Sequence, residues 1–447
     1  MKTLGGVKGF HDIVPPESER FTALEDRLRG VLRSYNYDEI RVPLAERTEL
    51  FARSLGETTD IVEKEMYTFD DRDGTSLTLR PEGTASVVRA AIEAGLAQRE
   101  RVTKLYYVGP MFRRERPQKG RSRQFHQVGA ELIGRDDPLA DAETVALFAD
   151  CLATAGVPDA RIVLNSLGDA VCRPAYREAL AAYGKAHEAE LCANCRQRLA
   201  RNPLRLLDCK EESCRRVMVG APRVGDHLCD ACRAHFAEVK RLLAVAGVAF
   251  TEDPRLVRGL DYYVRTAFEA TAGNLGAQNA VGGGGRYDGL VEALGGPPLA
   301  GVGFALGTER LLLAAGAAAV AARPYVCVIP LTEGATAAAL DVARRLRRAS
   351  ARAELESAGR SVKSAMRRAD KLGARFTILL GDDELAAGRA TVRDMGAQRD
   401  HRLALPLDAA GDALLECLRA LAASAPKADV ETGQVTASTR ARGEHRG

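Results

Sequence analysis

The stretch from Lys104 to Gly134, KLYYVGPMFRRERPQKGRSRQFHQVGAELIG, concentrates side chains that can do chemistry. Alternation predicts a strand over Gln124–Ile133, with Phe125, Gln127, Gly129 and Glu131 on one face. A central amide and carboxylate on the same face of a strand are costly to bury unless they meet a polar ligand. Arg113 and Arg114 end the preceding predicted strand, Leu105–Phe112, and Arg116, Lys119, Arg121 and Arg123 crowd the turn. A charged hairpin with a solvated tip would explain the arginines, but not a ring, an amide and a carboxylate aligned on one strand face. The pattern points to a ligand site.

Three further segments carry the same kind of chemistry. In LRPEGT, residues 79–84, a strand turns into a helix from about Thr84. Free N–H groups there suit an anion, and Glu82 serves either as a helix-start acid or as a partner for a ligand's ammonium group. Val257–Glu269 sets Arg258, Tyr262, Tyr263 and Arg265 along a strand pattern. Four glycines, Gly282–Gly285, allow close backbone approach to a ligand or another strand, or form a flexible loop. In LAGVGFALGTERLLL, residues 299–313, small residues make a strand from Gly301 to Leu306 and leave room for a flat group. Arg310 then opens a helix where it could cover that group and a phosphate. This is neither a P-loop nor a dinucleotide-binding turn.

The elements that must hold these groups read as follows. Ser18 caps a helix running to Ser34, and a short strand, Asp38–Val42, ends at Pro43. A helix over 141–156, a strand at Arg161–Asn165 and another at Val245–Phe250 flank a cysteine-rich insert over about 170–245. Cys192-x-x-Cys195 and Cys229-x-x-Cys232 form a recognisable zinc pattern, expected to hold one structural ion on four thiolates. Cys209 and Cys214 are an alternative pair, and reduced thiols without metal are the other reading. From Arg323, strand Tyr325–Pro330 and a helix over 335–350 begin an α/β unit. Eleven Lys and Arg lie between Arg344 and Arg375, including Arg367 and Arg368, against Glu354, Glu356 and Asp370. Phosphate-binding surfaces have this composition, as do solvated helix faces. Residues 425–447 read as a polar, disordered tail.

At 447 residues the chain has room for two to three domains, and its 46% hydrophobic and 28% charged content is that of a globular protein. Net charge is only +4, so nucleic-acid affinity has to come from local patches. The sequence shows neither an apolar run of membrane-helix length nor a signal-peptide apolar region, so no membrane partner is expected and the cytoplasm is the expected compartment.

Together these pieces resemble class II aminoacyl-tRNA synthetases. The helix and strand ending at Pro43 resemble motif one, Phe112-Arg113-Arg114-Glu115 through Glu131 motif two, and Gly303–Arg310 motif three. RGLDYY (258–263), GGGRYDGLV (283–291), LRPEGT and FRRERPQKGRSRQFHQ are similar to peptides of the histidyl-tRNA synthetase family. The resemblance covers residues 1 to about 420 and implies an α+β protein. An antiparallel-sheet catalytic domain would occupy 1–320, with the insert at about 170–245, followed by an anticodon-binding α/β domain over 323–420. It implies ATP-dependent activation of L-histidine, transfer to tRNA, Mg2+ with the ATP, and a homodimer.

By the same resemblance, Arg113 holds the α-phosphate and the histidine carboxylate, Phe125 stacks under adenine, and Arg310 covers its other face and reaches the γ-phosphate. Arg258 supplies a second charge at the α-phosphate. Glu82, Thr84 and Gln127 take the α-ammonium group, and Glu131 and Tyr263, with Tyr262 nearby, read the imidazole. The alternative is a non-catalytic paralogue that regulates ATP phosphoribosyltransferase. Such paralogues lose catalytic arginines and the C-terminal domain, whereas this chain keeps Arg113, Arg258 and Arg310.

Overall fold

The structure, a computed structural model, describes residues 4–56, 59–99, 102–157, 159–275, 279–316, 325–396 and 402–424. The tail from residue 425, expected to be disordered, lies outside the described residues. The chain divides into two compact units, residues 1–320 and 321–447.

The strands of the first unit are β1 (Asp38–Glu39), β2 (Ala45–Arg47), β3 (Tyr67–Asp70), β4 (Ser76–Leu79), β5 (Thr103–Phe112), β6 (Gln124–Ile133), β7 (Arg161–Ser166), β8 (Thr251–Glu252), β9 (Val264–Thr271), β10 (Ala280–Arg286) and β11 (Gly301–Gly307). Eight of them form one sheet in the order β1-β5-β6-β11-β10-β9-β7-β8. Its six central strands run antiparallel, with β1 and β8 added parallel at the edges. β2, β4 and β3 make a small separate sheet.

Even-numbered residues of β6, β9 and β11 turn to the core. Val128, Ala130, Leu132, Phe268, Ala270, Val302, Phe304 and Leu306 are buried against helices Glu17–Ser34, Pro138–Thr154 and Asp230–Val245. Phe148 meets Phe268 and Phe304 edge-on, each at 5.2 Å between ring centres. Burying each of the large apolar side chains stabilises the fold by roughly 1.5–3 kcal/mol and leaves the other face of these strands free for polar groups.

Local chemistry explains where elements start and stop. Asp137 accepts from the Ala140 amide at 3.2 Å, with Pro138 in the first turn, so its helix begins there. The first helix is not capped by Ser18. It starts at Glu17 after Pro16, without a side-chain cap, and Glu17 and Glu19 complement its dipole instead. The expected strand Asp38–Val42 is shorter: Asp38 and Glu39 pair with β5, and Ile40 N–H donates the last bond, to Tyr106 O at 2.8 Å. Beyond it the buried Arg80 guanidinium takes over, donating to Val42 O at 3.0 Å and Pro110 O at 2.9 Å. Val245–Phe250 is not a strand. Gly247, at φ +72°, ends the preceding helix, with Gly247 N–H donating to Ala244 O and Val248 N–H to Leu243 O. That pair of bonds is a Schellman cap, so the apolar residues there belong to a helix end.

The second unit contains β12 (Tyr325–Pro330), β13 (Arg352–Leu355), β14 (Phe376–Leu380), β15 (Arg389–Asp394) and β16 (Arg402–Pro406), in the order β13-β12-β14-β15-β16. β12 pairs parallel with β13 and β14, as strand–helix alternation requires. Val326, Val328, Phe376, Ile378 and Leu380 pack on Val342, Leu346, Leu415 and Leu418 of helices Thr336–Arg348 and Gly411–Ser424.

Candidate active site

The odd-numbered face of the central strands forms a grid. One row runs Leu105, Glu131, Gly303, Gly285, Ala267, and the next Tyr107, Gly129, Ala305, Gly283, Glu269. A third row continues through Gly109, Gln127 and Gly307. Residues 125, 127, 129 and 131 therefore share a face, as period two predicts. The four glycines Gly282–Gly285 are not a flexible loop but the middle of β10. A Cβ on Gly283 would stand 2.7 Å from the Arg258 guanidinium, and one on Gly285 2.9 Å from the Tyr263 ring. Missing side chains on this strand make room for the loop Arg258–Tyr263. On β11, Gly301 and Gly303 make room for Tyr287 and the Glu131 carboxylate, so the space serves the protein's own groups.

Glu131 is fully buried. Its carboxylate accepts from Thr84 Oγ1 at 2.7 Å and from Tyr287 Oη at 2.6 Å. Burial pushes its pKa up to about 8, against the lowering effect of those two hydroxyls and with a further raise from nearby Glu82. Each carboxylate oxygen has two lone pairs, so the group can still accept from a ligand. Glu82 accepts from the amides of Thr84 at 2.7 Å and Ala85 at 2.9 Å, an acid at a helix start. Burial raises its pKa despite those two backbone bonds. Tyr262 Oη reaches Glu82 at 3.5 Å, and the Tyr262 ring lies 4.5 Å from Tyr263 and 5.9 Å from Tyr287. Gln127 Oε1 is buried and has no hydrogen-bond partner among the described residues, an amide dipole aimed into the same space.

Each of the three arginines lies against a residue of this strand face, Arg113 at Phe125, Arg258 at Glu269 and Arg310 at Gly307. Arg113 Nε donates to Pro81 O at 2.9 Å, and its guanidinium lies 5.2 Å from the centre of the Phe125 ring. Arg258 pairs with Glu269 at 2.6 Å and lies 5.8 Å from the Tyr263 ring centre. Arg310 Nε donates to Ala280 O, and the neighbouring Glu309 is tied to His126 through its amide and ring, each contact 2.9 to 3.0 Å. Burial, aided by nearby Arg121, lowers the Arg310 pKa, so an incoming anion relieves that repulsion. All ten candidate residues thus come together: Glu82, Thr84, Arg113, Phe125, Gln127, Glu131, Arg258, Tyr262, Tyr263 and Arg310.

Two residues of this face were given no role by sequence reasoning, although Tyr287 lies in the GGGRYDGLV peptide. Tyr107 is buried, its hydroxyl has no hydrogen-bond partner among the described residues, and its ring runs past Gly83 and Gly129, where any Cβ would collide with it. Tyr287 supplies one of the two hydroxyls on Glu131. The glycines opposite them were the available signal.

The single zinc site expected from the two CxxC pairs is not what the fold builds. Cys192 and Cys195 gather with Cys209 and Cys214, whereas Cys229 and Cys232 gather with Asp169 and Cys172. Helix Asp230–Val245 carries its cysteines to the foot of β7, away from the turn after helix Arg173–Ala186 that carries the other pair.

The antiparallel sheet with its helices, followed by a separate α/β unit, agrees with what comparison finds. The family profile described as histidyl-tRNA synthetase matches residues 9–311, and that described as anticodon binding domain matches 325–416. The histidine–tRNA ligase of Syntrophotalea carbinolica is 50% identical over 93% of this chain and 99% of its own length. The apo crystal structure of S. aureus histidyl-tRNA synthetase is 36% identical with a TM-score of 0.72, over 93% of this chain and 99% of that one. An ATP phosphoribosyltransferase regulatory subunit/histidyl-tRNA synthetase from Bacillus halodurans C shares the fold, at 21% identity and a TM-score of 0.62 over 85% of this chain and 99% of that one. The chain belongs to the histidyl-tRNA synthetase family.

Proposed function

We infer that the chain is an ATP-dependent histidine–tRNA ligase, with residues 1–320 as its catalytic domain and 323–420 as its anticodon-binding domain. The observation that carries the reading is Glu131, a fully buried carboxylate held by two hydroxyls, on the same strand face as Phe125 beside Arg113 and Glu269 beside Arg258. Glu131 accepts one imidazole N–H, and Tyr263, with Tyr262 beside it, serves the other nitrogen. Glu82, Thr84 and Gln127 take the α-ammonium group. Arg113 orients the histidine carboxylate against the α-phosphate, Phe125 and Arg310 enclose adenine, and Arg258 meets the charge that develops at the α-phosphorus. Arg113 sits over Phe125, so adenine and Arg113 share that ring.

A carboxylate oxygen of histidine forms a bond to the α-phosphorus while the bridging bond to the β-phosphate breaks, and pyrophosphate leaves with the electron pair. A ribose hydroxyl at the 3′ end of tRNA then attacks the acyl carbon; AMP leaves and the hydroxyl proton passes to solvent or phosphate. Little covalent protein chemistry is needed, because positioning and charge do the catalysis. Mg2+ comes with ATP as counter-ion to its phosphates. Nearby carboxylates Glu115 and Glu269 are paired with Arg121 and Arg258, and no group of three metal-binding side chains converges there among the described residues. The chain therefore offers a phosphate-borne magnesium at most one or two carboxylates. Homodimerisation and a cytoplasmic location belong to the same proposal. Among the described residues no helix is long and apolar enough to cross a membrane. Histidine-dependent exchange of pyrophosphate into ATP, run beside the other amino acids, tests the reaction. Binding of histidine without exchange would return the chain to the regulatory reading.

The second unit refines where tRNA would bind. Arg368, one of the expected contacts, is taken by Glu356 and Glu354. Arg375 pairs with Asp394 at 2.9 Å. Lys363 and Arg367 lie on the same helix, flank a shallow depression with Arg393, and have no ion pair among the described residues. Reversing both, Lys363→Glu with Arg367→Glu, should weaken tRNA charging and flatten its salt dependence by a slope of about 2, while pyrophosphate exchange stays unchanged. Equal loss in both assays would remove this helix from tRNA binding.

A further inference from the structure

Two groups of ligand atoms in the insert converge as a tetrahedral metal site would require. In the first, Cys192, Cys195, Cys209 and Cys214 place their sulfurs within 4.8 Å of one another, with Cys192 and Cys209 3.9 Å apart. In the second, a carboxylate oxygen of Asp169 and the sulfurs of Cys172, Cys229 and Cys232 meet the same limit, and Cys172 and Cys232 stand 3.8 Å apart. Four sulfurs at ~2.3 Å from one ion would stand about 3.8 Å from each other. Disulfides do not account for the arrangement: every cysteine is free, and the second group has three thiols converging on a carboxylate. The surroundings match a thiolate shell. Cys195 N–H points to Cys192 Sγ at 3.4 Å, Cys192 N–H to Cys214 Sγ at 3.2 Å, and Asp169 N–H to Cys172 Sγ at 3.2 Å. The other oxygen of Asp169 accepts from Arg265 at 3.2 Å, the outer contact that orients a metal-binding carboxylate.

Both groups sit directly behind the loop that carries Arg258 and Tyr263. Arg173, next to Cys172, donates to Tyr263 O at 3.1 Å. Arg265, at φ +48°, is stitched to the same turn through Gly168 O at 2.8 Å and the Leu167 amide at 2.7 Å. From the first group, Asn202 lies between Cys195 and Cys209 and donates to Asp261 at 3.1 Å. We propose that the insert holds two zinc ions, one in each group, and that together they lock the Arg258–Tyr263 loop from behind. Thiolate-rich tetrahedral sites select zinc among the common divalent ions, and closed four-ligand shells make it structural. The catalytic value of the loop rests on the function proposed above; the ions and the locking do not.

The test uses the full chain purified without chelator. Metal analysis and native mass spectrometry should find about two zinc per chain. Cys192→Ser with Cys195→Ser should remove one ion, and Cys229→Ser with Cys232→Ser should remove one ion, each leaving the other in place. If both CxxC pairs shared a single ion, either double variant would empty the protein. Because the count is made first on the unsubstituted chain, a variant that fails to fold does not spare the proposal. Withdrawing metal should cost the Arg265 amide its protection from hydrogen exchange while the β5–β6 amides keep theirs. Fewer than two ions, iron in place of zinc, or unchanged protection at Arg265 would overturn it. None of these readouts requires catalysis, so they stand or fall apart from the assigned reaction.

Discussion

Arg258→Ala should slow single-turnover formation of the adenylate by roughly 10²–10³-fold, a loss of about 3–4 kcal/mol, with ATP and histidine affinities near those of the unsubstituted protein. The guanidinium is mostly buried and is held between Glu269 and the face of Tyr263, so it is aimed before substrate arrives. A charge placed in advance acts most where negative charge grows, which is the α-phosphate during attack. One confounding effect is the carboxylate left behind at Glu269. With 28% of its side chain exposed, Glu269 can be hydrated, and the double variant Arg258→Ala, Glu269→Gln removes it as a cause. If that double variant regains the lost rate, the penalty came from an unpaired acid and Arg258 is a structural residue. If both variants stay slow with intact circular dichroism, Arg258 acts on the reaction itself.

The site was legible where side-chain type and strand period agree. Phe125, Gln127 and Glu131 were placed on one face by alternation, and β5 and β6 pair in the register that keeps them there. Arg310 was placed by the break from small strand residues to helix at Thr308. What remained hidden depends on contacts between distant segments. Nothing local marks Tyr107, and Tyr287 lies in the GGGRYDGLV peptide without an assigned role, because their signal is the absence of a side chain at Gly83, Gly129 and Gly301. The glycine run at 282–285 reads as a loop until its neighbours β9 and β11 are known to lie on both sides. CxxC spacing shows half of a possible ligand set; the alternative pair Cys209 and Cys214 was visible in the sequence, but which CxxC it joins was not. Here the fold supplies Cys209 and Cys214 to one and Asp169 and Cys172 to the other. Asp169, an ordinary acid in sequence, could not be found by counting cysteines.

Glu131→Gln should raise the Michaelis constant for histidine by roughly 10²-fold with little change for ATP, since a hydrogen bond to a charged group is worth about 1.5–3 kcal/mol. The pH profile makes the assignment sharper. Burial first, and Glu82 to a lesser degree, hold the carboxyl protonated up to about pH 8, despite the hydroxyls of Thr84 and Tyr287. A protonated acid is a poor acceptor for an imidazole N–H, and the imidazole of free histidine is already neutral above ~6.5. The specificity constant for histidine should therefore rise through about pH 8, and Glu131→Gln should abolish that limb. A profile that falls through the same range would mean that the acid form binds histidine, and no dependence on Glu131 would move the imidazole elsewhere. Stability gives an independent check with a definite sign. Because the folded pKa lies above the ordinary value of 4.5, the folded state keeps a proton that the unfolded state releases between 4.5 and about 8. Across that window the unsubstituted protein loses stability as pH rises, up to a few kcal/mol by linkage, and Glu131→Gln does not. The glutamine variant should thus be the more stable one at pH 8 and the weaker histidine binder, a pairing expected of a carboxylate kept for its ligand at the expense of the fold. Loss of stability and binding together would instead make Glu131 a structural residue of the sheet.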